Sequence, residues 1–203
     1  LEERYPGSSV RIGWEFNLKG WHHGASEDTL DRWIDGFRHA STSLKQGGPG
    51  LQVVWGPNGR VSDGLTDATR AWPGGEYVDV VALSYYDWFP PLDTPEKARE
   101  KFAEPHDLNF WIDFARRQGK RFALSEAGVA PGNSHGGGDN PVYIDEVLGR
   151  LREVEAEDPG RIESVVYFDE PDPFLRNSIA GGQVPRTAAA LRDQLDEAEA
   201  QFE

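Results

Sequence analysis

The sequence predicts an α/β protein in which parallel strands are covered by helices. Five short apolar runs, rich in β-branched and aromatic residues and bounded by Gly, Pro, Asn or Asp, are typical of strands. Amphipathic segments with a period near 3.6 residues lie between them, and this alternation indicates parallel strands joined by helices. The runs are almost continuously apolar, as expected when both faces of a sheet are buried. The predicted strands are residues 9–17, 51–58, 78–86, 121–128 and 164–169.

The amphipathic segments predict four helices. Residues 108–118 place Trp111 and Ala115 on one apolar stripe, and Gly119 is expected to end that helix. The other predicted helices are residues 29–44, 141–157 and 187–202. A doubly wound sheet and an eight-stranded barrel both fit this pattern. A dinucleotide-binding fold is not favoured, because the glycine run at 136–138 follows no strand directly and opens no GxGxxG motif.

Composition narrows the classes of partner. The chain has 203 residues, which suits one domain with a hydrophobic core, and a formal net charge of −14. Nucleic acids and anionic membrane surfaces require basic partners, so both are disfavoured. No run approaches the roughly 18 apolar residues of a membrane span. There are no cysteines, whereas seven Trp and six Tyr offer aromatic faces that suit stacking on sugar rings.

Polar and aromatic side chains gather where the predicted strands end. Glu15 lies near the end of the first strand and Glu126 near the end of the fourth. In a barrel of parallel strands, the carboxyl ends of the strands converge at one mouth. Enzymes built on such barrels have their active sites at that mouth. Glycoside hydrolysis needs two carboxyl groups astride the bond, one to donate a proton and one to attack or to guide water. The other residues at strand ends are Asn17, Trp55, Asn58, Tyr86, Asp87, Ser125 and the run 167–170.

Several segments carry recognisable motifs. Residues 11–17 are RIGWEFN, residues 124–128 are LSEAG, and residues 77–88 are YVDVVALSYYDW. Shorter ones are VVWGPN at 53–58, WPG at 72–74 and VVYFDEPDP at 165–173. Together they resemble glycoside hydrolase family 26, within the clan of barrel glycosidases that keep two glutamates on strands four and seven. The first two motifs look like the acid/base and nucleophile segments, and the third looks like the strand-six segment.

The resemblance implies a TIM-type (β/α)8 barrel, incomplete here, with about five βα units and the first three strands missing. Residues 1–203 would be the C-terminal part of a single catalytic domain. It implies a retaining hydrolase that acts by double displacement, with Glu15 as acid/base and Glu126 as nucleophile, their carboxyls about 5–5.5 Å apart. Tyr86 is expected to hydrogen-bond Glu126. The resemblance implies no cofactor and an extracellular location.

Further site residues are expected around the two glutamates. Arg11 and Asn17 are predicted to support catalysis. The substrate is expected to be of the β-mannan or β-glucan type. Trp14 stands where many mannan-cleaving members carry His, and in this the chain resembles instead the members that act on mixed-linkage β-glucan or on less usual substrates. The adjacent residues His22 and His23 are interpreted as loop polarity rather than as metal ligands, and no metal site is predicted. The predicted substrate-binding residues are Trp14, Trp21, Trp55, Trp88 and Tyr167.

Two other functions remain open from the sequence. One is a non-catalytic glycan-binding barrel, and the other is a related clan member that acts on another β-glycan. A polysaccharide or oligosaccharide is the expected partner in each case, and the oligomeric state is not predicted. Five parallel strands cannot close a barrel, so we expect an open sheet with exposed edges. Its barrel-facing residues Ile12, Val53, Val81 and Val166 are expected to be partly exposed.

Overall fold

A computed structural model describes residues 7–59 and 64–199 of the chain. In these residues, strands alternate with helices. The strands are β1 (Ser9–Arg11), β2 (Gln52–Trp55), β3 (Val80–Asp87), β4 (Arg121–Val129) and β5 (Ile162–Tyr167). The α-helices are α1 (Leu30–Gly47), α2 (Pro95–Phe102), α3 (Leu108–Arg117), α4 (Pro141–Glu157) and α5 (Pro185–Glu199). Short 3₁₀ helices cover Ala68–Ala71 and Gly75–Tyr77.

The strands form one sheet in the order β1-β2-β3-β4-β5. Strand β1 pairs in parallel with β2, with Val10 opposite Val53, and β2 pairs in parallel with β3, with Val54 opposite Val80. Every residue of β3 is buried, as expected of a strand covered on both faces. The predicted class, an α/β protein with a parallel sheet, is therefore confirmed. Among the described residues β1 and β5 are the two edges, so the predicted open sheet is confirmed as well.

Two elements differ from the prediction. Strand β1 ends at Arg11 rather than at residue 17, because Gly13 and Glu15 have φ values of 57° and 51°, a left-handed conformation that cannot continue a strand. Helix α2 was not predicted, since its sequence PEKAREKF has few apolar positions. The last predicted helix begins earlier, at Pro185, and its residues 200–202 lie outside the described residues.

The chain divides into two compact units. They are Leu1–Ser84 with Pro105–Ser125, and Tyr85–Glu104 with Glu126–Glu203. The first unit has an aromatic core centred on Trp55, which is completely buried. The rings of Phe16, Trp72, Trp111 and Phe114 lie with their centroids 5.1 to 5.9 Å from that of Trp55. Because such rings bury large areas, this cluster dominates the packing of β2 against α3.

The second unit is built around α4. Asn140 caps the start of this helix by accepting a hydrogen bond from the Val142 N–H at 3.2 Å, and Pro141 opens it. The buried side of α4 packs against α5 and α2. Tyr143, on that side, donates its hydroxyl proton to the Tyr85 carbonyl. The helix is thereby fastened to β3 as well as to its neighbouring helices.

The expected exposure of the sheet is correct at its edges and wrong in its interior. Val166 and Val165 on β5 are 49% and 39% exposed, and Ile12 after β1 is half-buried. Val53 and Val81 are completely buried, contrary to the prediction. The reason is their position in the strand order, because β2 and β3 are interior strands with a neighbour on each side.

Candidate active site

Glu15 lies in the turn that follows β1 rather than on the strand itself. Its N–H donates to the Gly56 carbonyl, just past the end of β2, at 3.0 Å. A bulky residue at positive φ is uncommon, and such residues cluster at functional positions. The Glu15 side chain is 8% exposed, and its Oε1 accepts a 2.9 Å hydrogen bond from Asn58 Nδ2. The turn thus fixes a carboxyl group beside the carboxyl end of β2.

Asn58 connects Glu15 to Asn17. Its backbone N–H donates to Asn17 Oδ1 at 2.8 Å, and its carbonyl accepts from Asn17 Nδ2 at 3.1 Å. Both asparagines are buried, and a buried polar network with satisfied members is rigid. The predicted support from Asn17 would therefore act through Asn58. Asn58 was predicted to lie at a strand end but was not included in the predicted site, although the VVWGPN motif contains it.

Arg11 ties β1 to its neighbours. Its Nη2 donates to the Gly56 carbonyl at 3.2 Å and to Ser84 Oγ at 2.8 Å. A Cβ atom at Gly56 would lie 2.7 Å from Arg11 Nε, so only glycine leaves room for the guanidinium group. These contacts fasten the end of β1 to β2 and β3. The predicted support of the nucleophile by Arg11 stays a prediction.

Glu126 and Tyr86 meet within the second unit. Glu126 lies on β4 and is half-buried, and Tyr86 lies on β3 and is 5% exposed. The Tyr86 hydroxyl donates a 2.8 Å hydrogen bond to Glu126 Oε1. The predicted contact between these two side chains is therefore confirmed. Hydrogen bonds to an ionised acceptor are roughly twice as strong as neutral ones, so this contact suits a carboxylate at Glu126.

Trp14, Trp21 and His23 form an exposed aromatic cluster in the first unit. Trp14 and Trp21 are 45% and 39% exposed, with ring centroids 5.7 Å apart. The His23 ring lies 4.3 Å from Trp14 and 5.3 Å from Trp21, and its Nε2 donates to the Trp14 carbonyl at 2.9 Å. The structure thus brings together two of the predicted substrate-binding tryptophans. His23 was not predicted to lie beside them.

Trp55 is corrected from a substrate-binding residue to a core residue. Its side chain is completely buried, and its Nε1 donates to the Ala71 carbonyl at 3.2 Å. A side chain without exposed surface cannot contact a polysaccharide. It was misassigned because it lies near the end of a strand, where the sequence does not distinguish the inner from the outer face.

Trp88 and Phe168 flank Tyr86, whereas Tyr167 lies on the other face of the sheet. The centroids of Trp88 and Phe168 are 5.1 and 6.3 Å from that of Tyr86. Tyr167 donates its hydroxyl proton to the Asn177 carbonyl at 2.8 Å and lines an apolar cavity of about 230 Å³ with residues of α4 and α5. Burial raises the pKa of the Tyr167 phenol above its usual range. Consecutive strand residues face opposite sides, so Tyr167 is corrected to a packing residue and Phe168 lies beside Tyr86.

Residues 7–59 and 64–199 contain neither a cluster of metal-binding side chains nor a helix that could span a membrane. No group of three or more His, Cys, Asp or Glu residues there is placed to hold a metal ion. No helix in the same residues is long and apolar enough to cross a membrane.

The chain has the fold of part of a (β/α)8 barrel, as comparison with solved structures shows. A modular endo-β-1,4-mannanase from Cellulomonas fimi, described with the glycoside hydrolase family 26 mannanases, matches 89% of the chain at 20% identity with a TM-score of 0.63. The catalytic domain of a family 26 endo-β-1,4-mannanase from Bacillus sp. JAMB-750 matches 91% at 20% identity with a TM-score of 0.61. A fungal β-1,4-galactanase matches 91% at 12% identity with a TM-score of 0.57.

The chain spans only part of each of these structures: 40% of the Cellulomonas mannanase, 49% of the Bacillus domain and 61% of the galactanase. No family model matches the sequence, and no curated protein matches it. At these identities the likeness shows the fold alone. The predicted resemblance to family 26 is confirmed at that level.

Proposed function

We propose that this chain is the C-terminal part of the catalytic domain of a retaining glycoside hydrolase that cleaves a β-linked polysaccharide of the β-mannan or β-glucan type. The observation that carries the proposal is the 2.8 Å hydrogen bond from the Tyr86 hydroxyl to Glu126. The same pairing was expected of a nucleophile and its tyrosine partner. The mannanase and galactanase structures that share the fold support the reaction class. A polysaccharide substrate is consistent with a secreted protein.

In the proposed mechanism Glu126 attacks the anomeric carbon while Glu15 transfers its proton to the leaving glycosidic oxygen. The C–O bond breaks and a covalent glycosyl–Glu126 ester forms. Glu15, now a carboxylate, then takes a proton from water, whose oxygen attacks the same carbon and releases Glu126. Two inversions retain the configuration, and the proton returns to Glu15. The carboxyl separation of about 5–5.5 Å that such a mechanism requires stays a prediction.

The neighbouring residues have distinct parts in this proposal. Tyr86 orients Glu126 and stabilises its charge, and Asn58 orients Glu15 with the support of Asn17. Trp14 and Trp21 offer exposed ring faces on which a sugar ring stacks.

The test is hydrolysis of β-mannan and of mixed-linkage β-glucan by the chain and by three variants. Glu126→Gln removes the nucleophile and is expected to abolish turnover. Glu15→Gln removes the acid and is expected to lower kcat by about 10² or more on the polysaccharide. It should leave the first step intact on aryl glycosides with good leaving groups, where azide should restore turnover. Glu153→Gln, on the exposed side of α4, is the matched control and should retain full activity.

The stereochemical outcome and the binding behaviour separate the alternatives. Proton NMR of the first-formed product should show the β-anomer, and an α-anomer would exclude Glu126 as nucleophile. Binding of both polysaccharides without any hydrolysis would favour a non-catalytic glycan-binding barrel. Hydrolysis of another β-glycan in preference to these two would assign the chain to a different specificity in the same clan.

A further inference from the structure

An apolar cavity lies within the second unit, between the sheet and helices α4 and α5. Its volume is about 230 Å³, and side chains of β4, β5, α4 and α5 line it. Ala127 and Val165 line it from the strands, Ile144 and Val147 from α4, and Leu195 from α5. Protein interiors are close-packed, and voids larger than a water molecule are few. This cavity is therefore an unusual feature, and it is large enough to admit a small molecule.

Polar contacts hold α5 beside α4 and keep the cavity open. Gln194, which is buried on α5, donates through Nε2 to Asp145 Oδ1 at 2.9 Å and accepts through Oε1 from Arg152 Nη1. Asp139 accepts hydrogen bonds from two N–H groups in the first turn of α5 and so fixes the start of the same helix. Because these contacts set the spacing of the two helices, α5 does not move inward to fill the cavity.

The cavity is lined by aliphatic side chains and by two hydroxyl-bearing rings that are already hydrogen-bonded. The Tyr143 hydroxyl donates to the Tyr85 carbonyl and accepts from the Gly128 N–H at 3.2 Å. The Tyr167 hydroxyl donates to the Asn177 carbonyl at 2.8 Å. Burial raises the pKa of the Tyr167 phenol above its usual range, so this side chain stays neutral near pH 7. The lining therefore favours a ligand without charge.

The mouth of the cavity is apolar and accessible to solvent. Leu195 and Val165 both line the cavity, and they are 55% and 39% exposed. Exposure of large apolar side chains to water is unfavourable, and neighbouring ones that stay exposed often mark a binding site. The net charge of −14 repels anions, so a fatty acid or another anionic amphiphile is disfavoured. The ligand that fits is uncharged and apolar throughout.

The volume sets the size of that ligand. An apolar cavity of roughly 150 Å³ stays dry and binds benzene. In proportion, about 230 Å³ holds about nine non-hydrogen atoms. We propose that this cavity is a binding site for an uncharged hydrocarbon group of that size, such as an alkyl-substituted aromatic ring.

The inference goes beyond the proposed function and does not depend on it. Ala127 follows Glu126 along β4, and consecutive strand residues point to opposite faces of a sheet. An occupant of the cavity therefore does not compete with a substrate at Glu126.

The test is the binding of ethylbenzene to the whole chain, with benzoate as a charged ring of similar size. Low ionic strength is used, because the net charge then keeps copies of the chain apart. Ethylbenzene should raise the melting temperature, since a ligand of the native state stabilises it by mass action. It should also shift the methyl NMR signals of Ile144 and Val147, whereas benzoate should do neither.

A matched pair of variants on β5 locates the site. Val165→Phe places a ring in the cavity and should lower ethylbenzene affinity by about tenfold or more. Val166→Phe makes the same change at the next residue, which is 49% exposed and faces the other side of the sheet, and should bind like wild type. Val147→Phe fills the cavity from α4 and should lower the affinity as well, so the result does not depend on the folding of one variant.

Each outcome supports or overturns the site. Loss of binding in Val165→Phe and Val147→Phe, with binding retained in Val166→Phe, supports it whether or not the chain hydrolyses any polysaccharide. Absence of ethylbenzene binding overturns it, and so does benzoate binding of equal affinity. Equal affinity in Val165→Phe and Val166→Phe also overturns it, because the ligand then binds elsewhere. A melting temperature that rises with protein concentration and not with ethylbenzene overturns it too, since a second copy of the chain then covers the mouth.

Discussion

Glu126 Oε1, an oxygen of the proposed nucleophile, accepts a hydrogen bond from a donor whose position is fixed by the fold. The Tyr86 hydroxyl is that donor, and its ring is held in turn by Trp88 on one side and Phe168 on another. In the proposed reaction such a donor would need no reorganisation, and this is where preorganised sites gain most of their effect. Because the hydrogen bond fixes Oε1 of Glu126, it also fixes the orientation of Oε2 in the same carboxylate.

Replacement of Tyr86 by Phe should therefore act on kcat more than on KM. The substitution removes the hydroxyl and keeps the ring in its packing. A hydrogen bond to a charged group is worth about 1.5–3 kcal/mol, so kcat should fall about 10- to 100-fold. Steady-state kinetics on β-mannan or β-glucan measures this. Tyr143→Phe, which removes the bond to the Tyr85 carbonyl, is the control and should lower the melting temperature while kcat is retained. An unchanged kcat in Tyr86→Phe would remove Tyr86 from the catalytic group.

The site residues differ in how far the sequence could predict them. Glu126 and Tyr86 lie on regular strands within the LSEAG and YVDVVALSYYDW motifs. The apolar runs and the family resemblance together predicted their positions near the strand ends. Trp55 was misplaced because a strand end has two faces, and only the packing of α3 shows which one is covered. Asn58 was not assigned to the site because its contact with Glu15 joins two segments that are distant in sequence.

The start of helix α5 is capped by Asp139, a residue of the loop that precedes α4. Asp139 accepts hydrogen bonds from the N–H groups of Arg186 at 2.9 Å and Thr187 at 2.7 Å, the free donors of the first turn. Burial by itself raises the pKa of Asp139, but these two backbone donors outweigh it and hold the pKa below its usual value. The ionised carboxylate thus caps the helix and is favoured by its dipole.

Asp139→Ala should lower the free energy of unfolding by about 0.5–2 kcal/mol near pH 7. Because the folded pKa is depressed, the stabilisation is present above the unfolded pKa, about 3.9, and is lost as pH falls through the folded pKa. Urea titrations of wild type and variant should therefore converge as the pH falls below about 4. Asp193→Ala, at an exposed position further along the same helix, is the control and should change little. A difference that persists at low pH would contradict the role of the charge.

The boundaries of helices and strands were predicted correctly where the local sequence sets them and wrongly where tertiary contacts set them. Helix α4 was predicted at its observed bounds, because Asn140 and Pro141 give a start signal and its apolar stripe is regular. Strand β1 was predicted six residues too long. The positive φ values of Gly13 and Glu15 are set by the turn that packs against Gly56, and local sequence propensity does not predict them. Helix α2 lacks a strong stripe and forms because Ala98 and Phe102 are buried by packing.

At the scale of the whole molecule, attraction and repulsion compete at β5, which is an edge strand among the residues that the structure describes. Strand β5 has β4 as its neighbour and exposes Val165 and Val166, a combination that invites another strand to pair with it. The net charge of −14 repels a second copy of the chain. Salt screens that repulsion over a Debye length of about 10 Å at 0.1 M, whereas it leaves the apolar attraction in place.

We therefore expect self-association that increases with salt and that Val166→Lys suppresses. Light scattering at low and high ionic strength measures it. Ala189→Lys, on the exposed side of α5, makes the same change in net charge at another site and should associate like wild type. Since either lysine brings the net charge closer to zero, a reduction confined to Val166→Lys would assign the effect to the strand edge. Association that is identical in both variants would contradict it.

An edge that accepts a strand also makes thermal stability depend on protein concentration. A copy bound at β5 stabilises only the folded chain, so mass action shifts the unfolding equilibrium in the way that any ligand of the native state does. The melting temperature should rise as the protein is concentrated, and Val166→Lys should remove that dependence. In this expected association, the stabilising ligand of each chain is a second copy of the same chain bound at β5.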